Sequence, residues 1–148
     1  IRGLVGTGVQ TCALPIWLAD VDLLDQAAEI LESQIQSRLK GVLKSTVGAR
    51  LAIVYLLARR YDRALAALDA TNVRNEPAAL FTQRRHLRAR ALMGLDQSEI
   101  ALDVLKKDKS TDADLLRAEL FWNGGDWNNA SKELRKFLGR QVPRRTSR

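Results

Sequence analysis

Apolar residues recur every three or four positions from Leu18 to Leu138, and no stretch alternates as a half-buried strand would. This spacing predicts helices over 24–39, 46–59, 62–70, 78–93, 97–106, 112–123 and 127–138. Short runs of turn-forming residues separate them. Ser45 and Thr46, Asn75 ahead of Pro77, Ser110 and Thr111, and Asp126 stand where a side-chain oxygen can accept from the first free N–H groups of the helix that follows. Gly41, Gly94, the Gly124-Gly125 pair and Gly139 fall where helices are expected to stop. The pattern as a whole predicts an all-α fold.

The helices also repeat. Ala27, Ala64, Ala101 and Ala130 are spaced by 37, 37 and 29 residues, and a leucine follows each by four positions: Leu31, Leu68, Leu105 and Leu134. Three positions before each alanine stand Leu24, Tyr61, Ser98 and Trp127, nine before stand Tyr55, Leu92 and Phe121, and twelve before stand Ala52, Ala89 and Ala118. A small residue late in one helix and another early in the next let two antiparallel helices approach closely. The large residues then fill the grooves beside them. A hairpin of this kind has apolar surface on both sides and must stack on neighbours to bury it.

Ala52, Tyr55, Tyr61, Ala64 and Leu68 in ARLAIVYLLARRYDRALAAL resemble the tetratricopeptide-repeat pattern. So does LLRAELFWNGGDWNNASKEL, with its Gly125-Asp126-Trp127 turn. The resemblance covers Leu18 to Leu138 as half a repeat followed by three. It implies a right-handed α-solenoid of antiparallel helical hairpins that binds a peptide or partner protein on its concave face and carries out no reaction. Three departures stand beside it. Ser98 occupies a position where an aromatic is usual, the spacings of 37 and 29 stray from a repeat of about 34 residues, and the Trp-x-x-Leu-Gly opening is absent.

The two ends do not share the helical pattern. Residues 1–16, IRGLVGTGVQTCALPI, hold three of the nine glycines, the only cysteine and no acidic residue. Thr7 to Ile16 resembles the conceptual translation of a sequencing adapter, which implies a non-native leader and a genuine coding sequence that starts near Trp17. A signal peptide is the alternative, but Gly, Gln, Thr and Pro15 interrupt its apolar stretch and no small-x-small site follows. Residues 140–148, RQVPRRTSR, read as a disordered basic tail, which leaves 17–139 as the repeat domain. The formal net charge of +7 belongs largely to these ends. Arg2, Arg140, Arg144, Arg145 and Arg148 lie outside 17–139 and all 17 acidic residues lie inside it, so the repeat domain carries +2. That near-neutral balance argues against a nucleic-acid partner. No run reaches the roughly 18 apolar residues of a membrane span.

Little in the chain supplies chemistry. One Cys and one His exclude a disulfide framework and most zinc or nucleophile–His sites, so no metal, cofactor or catalytic residue is expected. His86 lies among Arg85, Arg88 and Arg90 with no carboxylate within a helical turn, and reads as an ordinary helix residue. Asp20, Asp22 and Asp25, and again Asp112 and Asp114, cluster at expected helix N-termini, where negative charge is favoured by the helix dipole. Gly124-Gly125 lacks the Lys-Ser/Thr of a phosphate loop and joins two helices. Arg59, Arg60 and Arg63, and Lys106, Lys107 and Lys109, crowd helix C-termini, where cations are favoured. Phe121, Trp122, Trp127 and Phe137 concentrate in the last unit, as packing or as the seam for a further repeat.

Arg84, Arg85, Arg88 and Arg90 form the densest internal positive patch. Its plain reading is a solvated helix face. The tetratricopeptide resemblance offers another, because first helices of such hairpins line the concave surface. Tyr55, Arg84, Arg88 and Arg117 are then the candidate contacts to an acidic peptide or a C-terminal carboxylate. The expectation is an interaction scaffold with further repeats of the same chain on both sides. The alternative is a helical-repeat segment of a larger enzyme, such as a transferase.

Overall fold

The computed structural model describes residues 16–37 and 39–141, with side chains from residue 22 onward. Residues 1–15 of the expected leader and 142–148 of the expected tail lie outside the described residues. The described residues form helices α1 (Ile16–Gln36), α2 (Gly41–Leu57), α3 (Tyr61–Ala70), α4 (Ala78–Gly94), α5 (Ser98–Leu105), α6 (Thr111–Asn123) and α7 (Trp127–Gln141), with no strand among them. The all-α expectation holds.

Most boundaries match the periodicity closely, and the exception at α2 has a local cause. Helix α2 begins at Gly41 rather than at 46, because Ser45 and Thr46 do not cap it. The Ser45 hydroxyl instead donates to the Glu76 carboxylate, and Thr46 Oγ1 donates back to the carbonyl of Val42 at 2.8 Å. Gly41 does break the chain, with φ at +61°. Helix α1 begins at Ile16, the last residue of the expected leader and eight residues ahead of the expected start at 24, and it ends at Gln36 rather than at 39. Helix α7 runs through Gly139 to Gln141, so the expected stop at Gly139 and the boundary at 139/140 are both corrected. Two predicted caps form. Ser110 Oγ accepts from the amide of Ala113 at 3.3 Å, and Asp126 Oδ1 accepts from the amide of Asn129 at 3.1 Å.

The turns inside the hairpins are copies of one another. Arg59, Asp96 and Gly125 each take a left-handed conformation, with φ at 56°, 58° and 76°. The amide that follows each one reaches back to the carbonyl five residues earlier: Arg60 to Tyr55 at 2.8 Å, Gln97 to Leu92 at 2.9 Å, and Asp126 to Phe121 at 2.9 Å. Each left-handed residue itself donates three residues back, completing a Schellman closure. The intervals of 37 and 29 residues seen among the alanines thus reappear in backbone geometry.

Packing follows chain order. Helix α1 lies on α2, and the pairs α2–α3, α4–α5 and α6–α7 form hairpins. The first helices touch in succession, α2 to α4 and α4 to α6, and each second helix touches the next first helix. The helices α1, α3, α5 and α7 do not touch one another. The alanines sit at these crossings: Ala52, Ala64, Ala89, Ala101, Ala118 and Ala130 are all buried. Only the first unit departs, since Ala28 is buried there and Ala27 is half-buried. Gly48 gives the closest approach, because a Cβ placed there would lie 1.8 Å from Thr71 Oγ1 at the end of α3. The core is two clusters joined at α4, with Leu80, Leu87 and Ala91 on one side and Ala89 and Leu92 on the other.

Candidate functional site

Helix α4 presents two working stripes, because residues three and four apart share a face. One stripe, Gln83, His86, Arg90 and Met93, meets Ile53 and Leu57 of α2 and Asp112 and Asn123 of α6 around a groove of ≈ 810 Å³. This groove runs along the first helices. The other stripe, Arg84, Arg85 and Arg88, floors a cleft between α3 and α5. Equivalent clefts lie between α1 and α3, over Tyr55, and between α5 and α7, over Arg117. The four residues singled out from sequence therefore belong to three successive clefts on the second-helix side.

In those clefts the four candidate side chains are bonded to the protein itself, while Lys106 and Lys107 at the rim of the α3–α5 cleft are not, among the described residues. Arg84 is 7% exposed. Its Nη2 donates to the carbonyl of Leu68 at 2.6 Å, and its Nη1 donates to the carbonyl of Ser45 at 2.8 Å and to Thr71 Oγ1 at 3.2 Å. Its Nε lies 3.2 Å from Glu76 Oε1. Burial pulls its pKa below the usual guanidinium value, and the neighbouring Glu76 charge opposes that pull. Arg117 repeats the arrangement one hairpin on: Nη1 donates to the carbonyls of Leu105 and Asp108, both at 2.8 Å, and Nε donates to Glu133 at 3.1 Å. Leu68 and Leu105 occupy the same repeat position. A guanidinium from the following hairpin thus closes the C-terminal carbonyls of α3 and α5, where the helix dipole favours a cation.

The remaining two candidates are tied as well. Tyr55 is buried and its hydroxyl donates to Glu32. Burial, with the carboxylate of Glu32 beside it, raises the phenol pKa. Arg88 is half-buried and pairs with Asp69. Around Arg117 the network extends to Asp114, fully buried in the first turn of α6, and to Lys136 and Arg140 of α7. Arg140 Nη1 stands 2.6 Å from Asp114 Oδ2, which accepts no hydrogen bond; the contact is ionic and lies off the donor direction. Burial pushes the Glu133 carboxyl up, but hydrogen bonds and charge from Lys136 and Arg117 outweigh it and hold the pKa below the ordinary range.

His86 has a carboxylate partner that its own helix did not suggest. Asp108, from the loop after α5, brings Oδ2 to 2.9 Å from Nε2, and Ser110 Oγ lies 3.4 Å from the same nitrogen. Because Asp108 and Ser110 meet one ring nitrogen, the relay in which a carboxylate orients one nitrogen while the other takes a hydroxyl proton is not assembled. Burial raises the Asp108 carboxyl, yet the Ser110 amide and hydroxyl and the His86 ring together hold it below its ordinary value. The cluster fastens the α5–α6 loop to α4. Among the described residues no three His, Cys, Asp or Glu side chains are placed to share a metal ion. No described helix is long and apolar enough to cross a membrane.

The first-helix groove differs from the clefts. Among the described residues Gln83 and Arg90 make no side-chain hydrogen bond or ion pair, and Leu57 is exposed beside them. Sequence reasoning named Arg90 only as part of the patch and passed over Gln83, Met93 and Asn123. The signal available was angular: Gln83, His86 and Arg90 are spaced three and four apart, on a stripe separate from Arg84 and Arg88. No family model, curated protein or solved structure matches the chain.

Proposed function

We propose that the chain is a non-catalytic interaction module of the tetratricopeptide kind. Its helical hairpins stack as a right-handed solenoid, and it holds a peptide or a segment of a partner protein in the groove along α2, α4 and α6. Neighbour-only packing and the three copied turns support the stacked array. First helices that touch, beside second helices that stay apart, support curvature toward the first-helix side, which makes that groove the concave one. The observation that carries the reading is the contrast in polar bonding. Arg84, Arg117 and Tyr55 hold the frame, whereas Gln83 and Arg90 stand beside exposed Leu57 with their polar atoms unspent. A groove with an apolar wall and a few unspent polar groups is the form that extended and helical peptides recognise.

Selection of peptides from a random display library against the chain tests this. Enriched peptides should bind Arg90→Glu about tenfold or more weakly, a loss of about 1.4 kcal/mol. They should bind a Lys106→Glu/Lys107→Glu variant, altered in the α3–α5 cleft, as well as the parent. Failure to enrich any peptide, or equal binding to the groove variant, would reject the proposal.

A further inference from the structure

The flank of α7 that lies open beside α6, where Leu134 lines a cleft with Leu115, Leu116 and Trp122, occupies the repeat position that is covered in α3 and α5. Leu68 and Leu105 are 1% and 0% exposed beneath the next hairpin, while Leu134, their counterpart, is 39% exposed. With Trp127 and Leu138, both more than half exposed, Leu134 forms an apolar stripe along α7. Arg135 flanks that stripe, and Lys132, Lys136 and Arg140 carry the positive charge on around the helix.

Helix α1 is the complement. Leu23 and Ile30 stand seven residues apart on its open face, about 10.5 Å along the axis, the same interval that separates Trp127 from Leu134. Asp22 and Glu29 are exposed beside them. The sequence of α1 contains five acidic and no basic residues, whereas that of α7 contains Lys132, Arg135, Lys136 and Arg140 against Glu133 alone. Asp25 and Glu32 of α1 are engaged with Arg60 and Tyr55, but no ion pair among the described residues holds Asp22, Glu29 or Arg135.

We infer that copies of this chain associate head to tail, with α1 of one copy laid on the exposed stripe of α7 of another. The incoming helix takes the place that α4 takes on α3. Leucine and isoleucine meet the Trp127–Leu134–Leu138 stripe, and the acidic flank of α1 meets the basic flank of α7. Two different faces pair, so the contact is heterologous and propagates into a chain of copies rather than closing as a twofold dimer.

Light-scattering mass measured across protein concentration tests this on the full chain. The mass should climb from 16.5 kDa through its multiples as concentration rises. It should fall back in about 1 M salt, where screening shortens to about 3 Å. A Leu23→Lys/Ile30→Lys variant and a Leu134→Glu/Leu138→Glu variant, each checked for native helicity by circular dichroism, should each stay monomeric alone. Mixed in equal amounts, they should form a one-to-one pair through their intact faces. A parent chain that is monomeric at every concentration overturns the inference. So does a single-face variant that still self-associates, association that salt leaves unchanged, or a mixture that fails to pair.

Discussion

A guanidinium carries five N–H donors and never gives up its charge at physiological pH, so burying one is tolerable only where acceptors are already arranged around it. Arg84 has that arrangement: two backbone carbonyls, a threonine hydroxyl and the Glu76 carboxylate, contributed by α2, the end of α3 and the loop before α4. Replacing it by methionine keeps most of the volume and takes a donor away from all four acceptors. Leaving Glu76, whose side chain is 3% exposed, without its counter-charge is the larger loss. Arg84→Met should therefore cost about 3 to 5 kcal/mol, read from urea midpoints at constant slope. A change within half a kcal/mol of zero, by contrast, is what a solvated surface arginine would give. None of this was visible in the sequence. Arg84 shares its stretch with three other arginines, and its acceptors lie up to 39 residues away, so the charge run could be located but its inward and outward members could not be told apart. Ser45 was misplaced for the same reason, since its partner Glu76 lies 31 residues on.

At the scale of elements the sequence was far more legible, because helix formation depends on near neighbours. The apolar period located every helix of the described residues, and the alanine intervals anticipated which crossings are tight. Boundaries failed where a side chain bonded over long range in place of a local cap, as at Ser45, and where a glycine inside α7 carried no turn. Equivalent positions in the repeat need not be equivalent in energy, and the four leucines after the anchor alanines measure this. Leu68 is fully buried between α3 and α4, so Leu68→Ala should cost about 2 to 5 kcal/mol. Leu134 has the same place in its hairpin but lies open, and Leu134→Ala should cost less than about 1 kcal/mol. Chemical denaturation of the pair, at dilution low enough to keep the chain monomeric, separates a repeat read from spacing alone from one read with its neighbours. Equal costs would mean that α7 is covered as α3 is.

At the scale of the molecule the decisive feature is that, among the described residues, helix contacts run only between adjacent helices and between consecutive first helices. Each hairpin then stands on its own interior plus its interfaces to the next, and loss at one end is transmitted mainly through α4, with Leu65 of α3 also packed against both clusters. The two core clusters show the same division. Leu51, Tyr55 and Leu68 lie in one, Leu105, Leu116 and Leu120 lie in the other, and α4 contributes to both. A cavity cut into the second cluster should therefore loosen the second half of the chain before the first. Leu116→Ala removes a side chain that is 3% exposed at the centre of that cluster. Amide hydrogen exchange followed by mass spectrometry should show faster exchange across α5, α6 and α7, a smaller change in α4, and protection in α2 and α3 close to the parent. A globule with one cooperative core would lose protection evenly. An even loss across α2 to α7 would thus count against the proposed stacked array and against the concave groove proposed with it.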